Sequence, residues 1–218
     1  MPARPLVAAR FARPAWITAA VALAVLVAMG IWLHNRRATA FDVWWSTKLF
    51  WHVGSGTSRV LVDLSLPVIS VVVPAVVLVA ALFTRRWNLA VLAVVLPVSA
   101  TVLAEQVGKP LVHRLLGAAS SFPSGHETGI SCAAFVLCTA VAQLPVRLGA
   151  RLVVWVLSLA WVLAAAAGLV RGGYHYATDA VGALALTTCL GLAITLVIDQ
   201  VSERARSRRR DKSEYALS

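Results

Sequence analysis

Six runs of roughly twenty apolar residues, at 15–33, 60–83, 87–107, 126–144, 152–170 and 177–198, constrain this chain more than any other feature. A helix rises 1.5 Å per residue, so each run is long enough to cross the roughly 30 Å hydrocarbon layer of a bilayer. Backbone polar groups find no water there, and only helices and closed barrels satisfy them internally. The runs are continuous and do not alternate with polar residues, which predicts an all-α polytopic membrane protein of six transmembrane helices. Composition agrees: of 218 residues 60% are hydrophobic and only 13% charged, and the mean hydropathy is +0.81. No internal repeat and no second domain is visible. Residues 1–218 read as one membrane domain whose segment 199–218 is a frayed, basic tail.

Arg4, Arg10 and Arg13 precede the first run. That run is too long for a signal-peptide core, and Arg36 and Arg37 follow it without a small-residue cleavage site. The stretch 41–52 alternates aromatics with polar residues and predicts an amphipathic segment at the membrane interface. Pro67 and Pro74 predict kinks in the second span. Cys132, Cys138 and Cys189 lie within apolar runs and behave as small hydrophobes.

The net charge is +11, but the cations lie in short clusters between apolar runs. That distribution excludes a nucleic-acid stripe and suits anionic lipid headgroups. Thirteen of the 20 Lys and Arg residues fall before span one, after spans two and four, and after span six; seven fall on the other side. The positive-inside rule then predicts both termini in the cytoplasm. Three polar clusters, around Lys109, Ser124 and His175, are thereby expected together on the outer face.

Ser124 stands where the fourth run begins and is suited to cap a helix, with Glu127 three residues on as in a capping box. The amides of such a first turn, with the positive end of the helix dipole, stabilise a phosphate. The plainer alternative is a well-capped helix start. His175 and Asp179 are four apart and share a helical face, so the carboxylate can hold the imidazole in one tautomer and leave its other nitrogen as nucleophile or base. The plainer alternative is a local pair that satisfies two polar groups near the surface. Lys109 and Arg114 read either as site cations or as interfacial residues reaching headgroups.

Taken in order, Lys109, then Pro123-Ser124-Gly125-His126, then His175-Tyr176-Ala177-Thr178-Asp179 resemble the signature of the type 2 phosphatidic acid phosphatase superfamily of integral-membrane lipid phosphate phosphatases. The resemblance implies that His175 attacks phosphorus to form a phosphohistidine, that Asp179 orients it, and that His126 protonates the leaving oxygen. Lys109, Ser124 and the Gly125 amide would bind phosphate oxygens, with no metal and no cofactor. The family's first motif sets an Arg seven residues after its Lys, where Leu116 stands, and its third sets an Arg six before its His, where Leu169 stands. Arg114 and Arg171, each two residues away, are expected to take over phosphate binding.

The function so implied is dephosphorylation of a membrane lipid at the extracytoplasmic face of a bacterial plasma membrane. Polyprenyl diphosphate is the expected substrate, with phosphatidic acid or phosphatidylglycerol phosphate next. Rival readings are a lipid phosphotransferase and a non-catalytic lipid-binding or transport protein on the same fold. The sequence leaves the oligomeric state open.

Overall fold

The computed structural model describes residues 5–49 and 60–215. Its elements are α1 (Ala9–Leu33), α2 (Ala40–Trp44), α3 (Pro67–Phe83), α4 (Trp87–Val102), α5 (Lys109–Val112), strands β1 (Leu115–Leu116) and β2 (Ala119–Ser120), α6 (Gly125–Ala142), α7 (Leu148–Arg171) and α8 (Ala177–Tyr215). Single π-helical segments continue α2 at Trp45–Leu49 and join α4 to α5 at Leu103–Gly108. The two short strands pair antiparallel as a small hairpin. Six helical stretches are long and apolar enough to span a membrane, namely Ala9–Leu33, Val60–Phe83, Trp87–Val112, Gly125–Ala142, Leu148–Arg171 and Ala177–Arg208. This is the all-α, six-span architecture that the apolar runs predict.

Helix α6 lies at the centre, packed against α3, α4, α7 and α8, while α8 also packs against α4 and α1. Leu89, Leu92 and Leu96 of α4 interdigitate with Val77 and Ala81 of α3 and with Cys132 and Val136 of α6. Ile130 and Ala134 of α6 pack on Val162 and Ala165 of α7. Residues such as Val71, Val76, Phe83, Val156 and Leu157 point outward, as lipid-facing positions do. Without a hydrophobic drive between spans, close approach depends on small residues. Gly168 of α7 is one, since a Cβ there would run into the backbone of Leu61 and Val62.

The boundaries depart from the apolar runs in instructive ways. Helix α1 begins at Ala9 and takes in Arg10 and Arg13, six residues ahead of the apolar run. In the second span the turn at 60–63 is interrupted, and α3 restarts at Pro67, whose missing N–H costs nothing in a first turn. Pro67 therefore opens a helix, and Pro74 lies within it. Helix α8 runs on to Tyr215, where a frayed tail is predicted. No Gly or Pro interrupts 199–215, and Arg, Lys and Glu are good helix formers, so polarity there marks water and not loss of helix.

At the end of the bundle away from the three motifs, Asp199 of α8 is buried and accepts hydrogen bonds from the amides of Leu6 and Val7, both at 2.8 Å. Gln143, after α6, donates to the carbonyls of Pro5 and Leu6 at 3.1 Å. The residues leading into α1 are thus fastened to the far ends of α6 and α8.

The stretch 40–49 also differs from a simple interfacial helix. Phe41, Trp44 and Trp45 form an aromatic cluster with centroids 5.7–6.5 Å apart, and Phe41 and Trp44 are exposed. The residue turned inward is Asp42, which is 2% exposed. Phe50, Trp51 and His52, the rest of that predicted segment, lie outside the described residues.

Candidate active site

Three chain segments meet at one end of the bundle: the turn from α4 into α5, the entry to α6, and the turn between α7 and α8. Phe122 anchors the second of these. It is fully buried among Leu33 and Val112, and its ring fills the place that a Cβ on Gly182 of α8 would need. Pro123 lies against Gly108 in the same manner. These two glycines let the segment preceding α6 sink between α8 and the π turn, which brings His126 next to the start of α8.

The rings of His126 and His175 face each other with centroids 6.0 Å apart and planes inclined at 60°. His126 is exposed, whereas the His175 side chain is only 9% exposed. Asp179, fully buried on the first turn of α8, accepts a hydrogen bond at 2.9 Å from the Tyr176 amide, which closes the helix start from within. The same carboxylate oxygen stands 3.6 Å from His175 Nδ1, which is buried and has no hydrogen-bond partner. Asp179 therefore sits behind the ring at ion-pair distance, just beyond a formed hydrogen bond.

Ser124 caps α6: the Glu127 amide donates to its Oγ at 3.2 Å, and its own amide donates to the Asp179 carbonyl at 3.3 Å. The reciprocal half of the expected capping box is missing. The Glu127 side chain is fully buried and neither of its oxygens has a partner, so it does not fold back to the cap. Lys109 donates to Glu105 at 2.7 Å, and that carboxylate lies against Gly125, where a Cβ would collide with it and would stand 3.8 Å from Lys109 Nζ. Lys109, Gly125 and the start of α6 thus surround one small space, and an internal anion, Glu105, occupies it. Sequence reasoning missed Glu105; its one signal is its position four residues before Lys109 on a helical turn.

Arg114 takes a place that its sequence position did not suggest. Its side chain is wholly buried, and it donates through NH1 to Asp179 Oδ1 at 2.5 Å and to Thr178 Oγ1 at 2.6 Å. Through NH2 it donates to Asp42 Oδ2 at 2.6 Å and to the Arg37 carbonyl at 3.2 Å, and the guanidinium stacks 4.3 Å over the Tyr176 ring. Both terminal nitrogens of the fork are committed to carboxylates behind the histidines, and the remaining Nε is buried without a hydrogen-bond partner. Asp42 is the second residue that sequence reasoning missed. It accepts from the Thr178 amide at 3.0 Å and from its hydroxyl at 2.8 Å, so a carboxylate from α2 helps to cap α8. Burial alone would raise the Asp42 carboxyl, but hydrogen bonds from Thr39 and Thr178 hold it below its ordinary value. Arg171 is exposed at the last residue of α7, just before Gly172 and Gly173, the latter with φ +74°.

An apolar groove of about 670 Å³ opens beside this cluster, between α1, the π turn with α5, and α8. Leu26, Gly30, Ile31, Val107 and Leu186 line it, and Gly108 and Pro123 form its border with Lys109 and Ser124. Polar chemistry at the mouth of an apolar cleft suits an amphiphilic ligand.

Residues 104–203, which include all three motifs, match the family model of the PAP2 superfamily. No curated protein and no solved structure matches the chain.

Proposed function

We propose that this chain, whose residues 104–203 match the PAP2 superfamily, removes the terminal phosphate of a membrane lipid monophosphate or diphosphate through a phosphohistidine on His175. Superfamily membership supports phosphatase chemistry on lipid phosphates. The observation that carries the finer reading is the pair of facing imidazoles, 6.0 Å apart, with Asp179 behind one of them and an apolar groove at their side.

In this mechanism the neutral His175 ring attacks the terminal phosphorus in line through Nε2, and the bond to the leaving oxygen, ester in a monophosphate and bridging in a diphosphate, breaks as His126 delivers a proton to it. Asp179 stabilises the positive charge that the His175 ring gains. In the second step His126 takes a proton from water, the hydroxide oxygen bonds to phosphorus, and the P–N bond breaks to release inorganic phosphate. Lys109 and the amides at the start of α6 neutralise the equatorial oxygens once the phosphate displaces Glu105 from that space. Arg171, next to the Gly172 and Gly173 turn, is the proposed second cation of the site. The hydrocarbon tail rests in the groove between α1 and α8, which favours a lipid over a soluble ester. Polyprenyl diphosphate is the first substrate to assay, with phosphatidic acid and phosphatidylglycerol phosphate beside it.

Purified protein in detergent is expected to release phosphate from at least one member of this panel, to keep its rate in EDTA, and to be inhibited by vanadate, which adopts five-coordinate geometry at the same donors. A rate lost on chelation and restored by a divalent ion would overturn this division of labour among the histidines, Lys109 and Arg171. Phosphate appearing on an added lipid alcohol, in place of free phosphate, would make the protein a phosphotransferase. A blank panel would favour a binding or transport role.

The outer-face location is tested by single cysteines in a background lacking Cys132, Cys138 and Cys189. A thiol replacing Ser120 is expected to react with an impermeant maleimide in intact cells, and one replacing Ser207 only after permeabilisation. The opposite pattern would turn the site toward the cytoplasm.

A further inference from the structure

We infer that Asp42, on the short helix between the first two spans, is a positioning residue of the reaction, acting through Arg114 to keep Asp179 available as the counter-charge of His175. The inference rests on the reading of His175 as nucleophile. One guanidinium serves two carboxylates: NH1 goes to Asp179 and NH2 to Asp42, at 2.5 and 2.6 Å, and the side chains of all three are at most 2% exposed. Thr178 joins the two ends, accepting from NH1 and donating to Asp42 Oδ1. The buried cluster therefore carries one positive and two negative charges. That surplus negative charge is matched only when the His175 ring, 3.6 Å from Asp179, becomes cationic as its Nε2 bonds to phosphorus. A guanidinium facing Asp179 alone would cancel the carboxylate that the ring needs. Asp42 draws off half of the fork and prevents this.

Among the described residues, the other ionisable groups at this end of the bundle include His126 and the buried Glu127 on α6, Glu105 and Lys109 around Gly125, His34 and His113 beside α5, Tyr176 beside Arg114, and Arg171 and Tyr174 where α7 ends. Substitutions at Asp42 leave all of them in place, so they enter the pH profiles of wild type and variant alike.

The test is the acid limb of kcat/KM for a water-soluble aryl phosphate, measured on folded, purified full-length protein. In Asp42→Asn the cluster becomes neutral, so the limb is expected to move to lower pH by roughly one unit, the lower end of what a nearby charge does. The same variant should lose about tenfold in kcat, with KM little changed. In the double variant Asp42→Asn with Arg114→Met, Asp179 faces His175 unopposed, and the limb is expected to move the other way, above that of wild type. A purely architectural Asp42 would move neither limb and would lower only the folded yield. If Asp42→Asn alone does not fold, the double variant decides: an upward shift supports the inference, and an unmoved or lowered limb overturns it. Failure of the underlying reading is distinguishable, because it would appear as phosphate release that survives His175→Ala.

Discussion

Replacing His175 with Ala is expected to abolish phosphate release, whereas replacing His126 with Ala should leave a residual rate ~10²–10⁴-fold below wild type, the usual worth of a general acid. The asymmetry follows from what each ring supplies. Without the His175 ring beside His126 the proposed covalent intermediate cannot form. Without His126 the same bond still forms and breaks, but the leaving oxygen departs unprotonated. The deficit should therefore shrink for an aryl phosphate, whose leaving group needs little protonation, and stay large for an alkyl monoester such as phosphatidic acid, whose leaving group is an alkoxide. Equal losses on both substrates would remove the acid role from His126. Residual turnover in His175→Ala above the uncatalysed background would remove the phosphohistidine.

The largest stability effect is expected at Arg114. Removing one partner of a buried ion pair leaves an uncompensated charge and costs about 3–5 kcal/mol. Arg114→Ala would strand two carboxylates, Asp42 and Asp179, and leave Thr178 and the Arg37 carbonyl without a donor. A fall in the thermal midpoint on the order of 10 °C, in detergent, is the expected reading for a chain of this size. Arg171→Ala should leave the midpoint close to that of wild type, because its side chain is exposed at a helix end. Its cost belongs in turnover: a few kcal/mol if it neutralises phosphoryl charge, against about 1 kcal/mol for a headgroup contact. An Arg114→Ala protein that melts like wild type and loses only affinity for phosphate would return Arg114 to the role its nearness to Lys109 suggests.

The spans were legible because hydropathy reports directly on solvent, and a run of twenty apolar residues has few alternatives in a bilayer. Their ends were less so. Arg10 and Arg13 sit within α1 and the basic stretch after Ile198 continues α8, because charge decides whether a residue meets water, not whether its backbone stays helical. The order of the three motifs announced the histidines and Asp179, since local spacing carries that information. What spacing could not carry is which side of Asp179 an arginine approaches. Arg114 reaches it from behind, and the reason lies 72 residues earlier in Asp42, within a stretch whose aromatics advertise an interfacial helix. Glu105 was equally silent, as an acid four before a lysine is common on any helix. Glu127 misled in the other direction: its spacing from Ser124 fits a capping box, yet only its backbone takes part.

Helix α1 packs chiefly on α8, and Asp199 of α8 holds the amides just ahead of α1. Of the six spans, the first made thus takes the last made as its neighbour. At 5–20 residues per second, α1 spends on the order of 10–30 s in the bilayer before α8 emerges. Throughout that interval its Leu26, Gly30 and Ile31 have no α8 opposite them. Closure by α8 then creates the groove that these residues line, so the apolar cleft beside the histidines comes into being only with the final insertion step.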